Sequence, residues 1–76
     1  MDIEKLVRMA NQIAANLDYG TDKEKVAAAA ADHLTRFWNS TMRAAVIEGH
    51  KKKLLDLSPV AARAVELLTA QKTNAA

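Results

Sequence analysis

Two histidines, His33 and His50, are the first residues in this chain that could hold a metal or move a proton. They fall on different predicted elements and form no H-E-x-x-H pattern, so the spacing points to neither a zinc site nor a general base. At the edge of an apolar helical arc, His33 reads more plainly as a boundary side chain bonded to a neighbour. Cysteine is absent, which removes disulfides, Cys-ligated zinc, iron–sulfur clusters and thiol nucleophiles together. Few serines and threonines and no glycine-rich segment leave nucleophilic triads and phosphate-cradling loops without raw material. Carboxylates are scattered rather than paired across a cleft. No catalytic, cofactor-binding or metal-ligating residue is assigned.

What remains is suited to binding. Lys51, Lys52 and Lys53 could touch phosphates or an anionic membrane, although beside Glu48 and Asp56 they read more simply as a solvated helix end. Phe37 and Trp38 stand at a predicted helix end, where the indole must either fill the small core or anchor a partner. The two need not point the same way.

Size and composition set the frame for these groups. At 76 residues the chain has room for one domain, and a domain this short hides only about 60% of its unfolded surface. Support from a partner is therefore expected. Eleven basic and nine acidic residues give a net charge of +2 and are interspersed, unlike the one-sided excess of most nucleic-acid binders. Half the residues are hydrophobic, but much of that is alanine, which favours helix and adds little volume to a core. The longest apolar run, Val26 to Ala31, falls far short of the ~18 residues of a membrane span. With no apolar leader after Met1, a cytoplasmic location and no membrane partner are expected.

Caps and periodicity divide the chain into helices. Asp2 is a good N-cap for a first helix that sets Ile3, Leu6, Val7, Ala10, Ile13, Ala14 and Leu17 on one arc and ends near Gly20. Thr21 and Glu24 match the S/T-x-x-E capping box of a second helix to about Trp38, with Val26, Ala27, Ala30, Ala31, Leu34, Phe37 and Trp38 on one face. Asn39 or Ser40 starts a third helix through Met42, Ala45 and Val46 toward Gly49, or on into the lysine run. Both glycines read as helix terminators. Ser58-Pro59 opens a fourth helix with Val60, Ala61, Ala64, Leu67 and Leu68 buried. No stretch alternates like a strand. The expected fold class is all-α, a compact bundle or orthogonal array of three to four short helices, with a single helical domain over residues 1–70 and a frayed tail over 71–76.

Three segments, Leu6-Val7-Arg8-Met9-Ala10-Asn11-Gln12-Ile13, Ala31-Asp32-His33-Leu34-Thr35-Arg36-Phe37-Trp38 and Met42-Arg43-Ala44, together resemble the delta subunit of the soluble, NAD-dependent, molybdenum-containing formate dehydrogenases. The likeness continues weakly through Leu57-Ser58-Pro59 into the last helix. After Trp38, where the family commonly has Asp-Pro-Arg, this chain has Asn39-Ser40-Thr41, losing a preset proline and a basic side chain. The resemblance implies a non-catalytic accessory subunit that stabilises or helps assemble the complex. Its larger subunits would hold the molybdopterin guanine dinucleotide, iron–sulfur clusters, FMN and NAD. The expected partner is a larger subunit, the molybdenum-binding one first.

Arg8, Asn11, Gln12, Asp32, Arg36, Trp38 and Arg43 are the expected partner-interface residues, since arginine's planar fork can bond a carboxylate in two places. For Asn11 and Gln12, ordinary helix surface or a bond to a neighbouring helix is nearly as good a reading. Two alternatives of other classes stay open: a small nucleic-acid-binding domain using Lys51 to Lys53 and Arg43, whose binding would fall steeply with salt, and a homodimer packed through its alanine-rich helix.

Overall fold

Asp2, Asp22, Asn39 and Ser58 each stand just ahead of a helix and accept a backbone N–H from its first turn, at 3.0, 2.9, 2.9 and 3.2 Å. Each such cap stabilises its helix by about 1 kcal/mol. The computed structural model describes residues 2–20 and 22–74, with side chains as far as residue 70. Among the described residues there are four helices and no strand: α1 (Ile3–Asn16), α2 (Lys23–Phe37), α3 (Ser40–Lys51) and α4 (Pro59–Asn74). The all-α expectation holds.

The capping box expected of Thr21 gives way to Asp22, whose carboxylate meets the Glu24 amide because the first helical residue is Lys23. Thr21 lies outside the described residues. The helical backbone of α4 continues to Asn74, through the first residues of the segment expected to fray; Ala70, Gln71 and Lys72 are good helix formers and nothing there breaks the turn.

Neither glycine ends a helix. α1 stops at Asn16, and Gly20, with φ +81°, shapes a later turn in which its amide donates to Asp18 Oδ1 at 3.0 Å. Gly49 lies inside α3, and a Cβ there would sit 2.8 Å from Leu55 Cγ. Its bare Cα makes room for the chain returning toward α4.

α3 instead closes at Lys53, which adopts φ +58°. The Lys53 amide donates to the His50 carbonyl at 2.9 Å and the Leu54 amide to the Gly49 carbonyl at 3.0 Å, the paired bonds of a Schellman motif. Glycine is favoured at this left-handed position because it has no Cβ to crowd the backbone. Lys53→Gly should therefore raise stability by about 0.5–1 kcal/mol, seen as a Tm increase of a few degrees by circular dichroism. An unchanged or lower Tm would contradict the assignment.

α2 and α4 form the most extensive pairing, and α4 also meets α3 and α1. Ala27, Ala30 and Ala31 on α2 and Ala61 and Ala64 on α4 are all buried; small side chains let helix axes approach closely. Leu6, Leu34, Val46, Val65, Leu68 and Trp38 supply the volume. No polar or charged residue is buried among the described residues.

Candidate functional site

The periodicity of α1 places a second stripe beside its buried arc. Lys5, Arg8, Met9, Gln12 and Ile13 stand at i, i+3, i+4, i+7 and i+8, which share one helix face. Opposite lie His33 and Phe37 of α2, four residues apart, then Trp38 and Met42 at the corner into α3. These residues line an open groove of about 770 Å³. Met9, Ile13, Trp38 and Met42 give it an apolar floor, with Lys5, Arg8 and Gln12 along one edge. At the other edge the rings of His33 and Phe37 lie 4.6 Å apart at 44°, so the neighbour His33 meets is an aromatic ring.

Phe37 and Trp38 share the apolar face of α2 by spacing, yet the two rings part: Phe37 is 70% exposed and Trp38 is 5% exposed. Successive residues on a helix point about 100° apart, and α2 ends between the two. Trp38 takes an extended conformation, ψ 141°, and turns its indole into the core while its amide still bonds the Leu34 carbonyl at 3.0 Å.

The other expected interface residues divide by whether the fold occupies them. Asn11 bridges to the loop before α4, its Nδ2 donating to the Asp56 carbonyl at 3.2 Å and its Oδ1 accepting from the Ser58 amide at 2.8 Å. Arg43 reaches back from α3 to the end of α2, where Nη1 donates to the carbonyls of Leu34 at 3.4 Å, Thr35 at 3.1 Å and Trp38. Both side chains are engaged within the chain, as the Trp38 ring is. Gln12 donates to Asn16 Oδ1 at 3.0 Å along α1, and Asp32 pairs with Arg36 at 3.0 Å on the exposed side of α2. Arg8 is exposed, and neither it nor Lys5 forms an ion pair among the described residues. Sequence reasoning brought Arg8, Gln12 and Trp38 forward; it missed Met9, Ile13 and Met42 as groove residues and Phe37 as an outward ring. The spacing of Met9 and Ile13 was the signal that could have found them.

A second concavity, of about 410 Å³, lies between α1, the start of α2 and the start of α4, but its polar groups are already matched. Lys23 and Asp18 meet at 2.5 Å, and that ammonium, with the Gly20 amide, holds the Asp18 carboxyl below its ordinary value. Arg63 grips Glu24 with two nitrogens at 3.0 Å, which raises the guanidinium above its usual value. Nearby, His50 lies 3.0 Å from Glu66, and chiefly through that bond the Glu66 carboxyl is held below its ordinary value. The Arg63–Glu24 pair ties α2 to α4 at modest energy, and the His50–Glu66 contact joins α3 to α4.

No group of three or more His, Asp or Glu side chains that could hold a metal converges among the described residues. No described helix is long and apolar enough to cross a membrane. The arrangement offers an open groove with an apolar floor and two cations on its edge.

The family described as NADH-dependent formate dehydrogenase delta subunit FdsD matches this chain over residues 5–65. Searches of curated proteins and of solved structures returned no significant match. A match spanning α1, α2, α3 and the start of α4 covers most of the sequence, and the chain belongs to the formate dehydrogenase delta subunit family.

Proposed function

We infer that this protein is a non-catalytic accessory subunit that stabilises or helps assemble a cytoplasmic NAD-dependent formate dehydrogenase. The observation that carries this reading is the delta-subunit family match over residues 5–65. Its support is chemical: the chain has no cysteine to ligate an iron–sulfur cluster, and its described carboxylates and histidines form no metal-binding group. Formate oxidation, with the molybdopterin, iron–sulfur, FMN and NAD chemistry it needs, is then the work of the larger subunits. The molybdenum-binding one is the proposed partner. Of the side chains proposed to face it, Arg8, Gln12, Asp32 and Arg36 are exposed.

Deleting the chain in its native cell should lower the amount of assembled, active formate dehydrogenase. A tagged copy restored to that strain should co-purify with the large molybdenum-binding subunit. Undiminished assembly together with no co-purification would overturn the reading.

A further inference from the structure

We propose that the groove between α1 and the α2–α3 corner receives an acidic amphipathic segment of a larger formate dehydrogenase subunit, its apolar side chains against Met9, Ile13 and Phe37 and its carboxylates against Lys5 and Arg8; this rests on the accessory-subunit reading above.

The apolar half of the argument is Phe37. It is 70% exposed at the lip of a groove floored by Met9, Ile13 and Trp38. A large aromatic ring beside an apolar channel gains free energy when a partner covers it, at roughly 25 cal/mol per Å² removed from water. Methionine on the same surface adapts to the shape of an incoming side chain.

Charge selects the occupant. Lys5 and Arg8 are the charged residues among those lining the groove, no carboxylate is among those lining residues, and neither is ion-paired among the described residues, although Glu4 and Asp56 share a separate concavity with Arg8. One helical turn apart on α1, they present two positive charges along one edge. A segment carrying carboxylates complements them, and the Arg8 fork can hold one in two places. A second copy of this chain docking by the same face would set Lys5 and Arg8 against their own like charges, because an isologous contact pairs a patch with itself. A nucleic acid gains affinity from many phosphate contacts, and two cations over an apolar floor offer few. A small ligand would need several convergent, fixed polar groups, and here the polar edge is formed by long, exposed side chains of one helix face.

The test measures binding of the full-length protein to formate dehydrogenase purified from the deletion strain, using a fluorescent label on the chain. Lys5→Glu/Arg8→Glu and Phe37→Ala should each weaken binding about tenfold or more. Lys25→Glu, exposed at the start of α2 and outside the groove, should bind within about twofold of the unaltered protein because distant rim charges contribute little. Far-UV circular dichroism of all variants should match that of the unaltered chain, since every replaced side chain is exposed. Tight binding by the unaltered protein with equal affinity for the groove variants would overturn the groove and leave the accessory-subunit reading standing. Failure of the unaltered protein to bind the enzyme would count against both. Groove-dependent binding to anionic vesicles or duplex DNA, without binding to the enzyme, would also overturn the proposal.

Discussion

Replacing Trp38 with alanine should remove about 3–5 kcal/mol of folding stability, the range for truncating a buried large aromatic residue. The indole is 5% exposed and is the largest side chain in a core otherwise built from alanine, valine, leucine and isoleucine. Neighbouring alanines cannot reach across the space it would vacate. A chain of 76 residues has a total stability on the order of 4–11 kcal/mol at ~0.05–0.15 kcal/mol per residue, so the loss removes much or all of it. Thermal melts followed by far-UV circular dichroism should show Tm lowered by at least ~12 °C, or no cooperative transition. Trp38→Phe keeps most of the apolar volume and should fall between the two. Were Trp38 chiefly a partner anchor, the isolated variant would melt like the unaltered chain, and that outcome would refute the core assignment.

Local signals in the sequence located the helices well because caps act over three or four residues. Asp2 and Ser58 were readable as caps, Asn39 as one of two candidates beside Ser40, and the arc of Leu6, Ala10 and Ala14 as buried, from spacing alone. Asp22 was passed over because Thr21 also fits a cap and makes the better-known pattern with Glu24. What escaped depends on contacts distant in sequence. Asn11 meets partners 45 and 47 residues away, and no local pattern marks a surface-like asparagine as a clamp on a remote loop. Gly49 reads as a helix breaker until Leu55 is seen against it. Phe37 and Trp38 are equally apolar on paper, and only the point where α2 stops decides which ring turns inward.

The groove was legible in pieces. In the sequence Arg8 and Gln12 read as partner-facing positions and Ile13 as part of the buried arc, while Lys5 and Met9 carry no site assignment. None of these marks a groove until α2 and α3 supply the opposite wall. Every residue lining the groove except Lys5 falls within the three segments that carry the resemblance to the delta subunit. Those same segments contain Asn11, Trp38 and Arg43, which hold the fold. The strings that carry the resemblance therefore mix residues that line the groove with residues that hold the fold.

Arg43 separates these two roles most directly, and its replacement by alanine should destabilise the isolated chain by about 1.5–3 kcal/mol, the range for hydrogen bonds made by a charged group. Four carbonyls at the end of a helix lack partners within it and carry its negative dipole end. Here one guanidinium nitrogen serves the carbonyls of Leu34, Thr35 and Trp38, closing α2 and fixing the corner at which Trp38 turns into the core. Losing it leaves half-buried carbonyls to find water and loosens the residue that fills the most core volume. The single tryptophan reports this directly: in urea titrations its emission should shift to the red at a lower midpoint, with a parallel change in the circular dichroism signal. Arg43→Lys keeps the charge on a shorter side chain ending in an ammonium rather than a planar guanidinium, and should recover only part of the loss. If Arg43 serves a partner rather than the end of α2, the alanine variant will unfold at the same urea concentration as the unaltered protein and fail only in binding. Lower stability in the isolated chain is the result the bonding geometry requires.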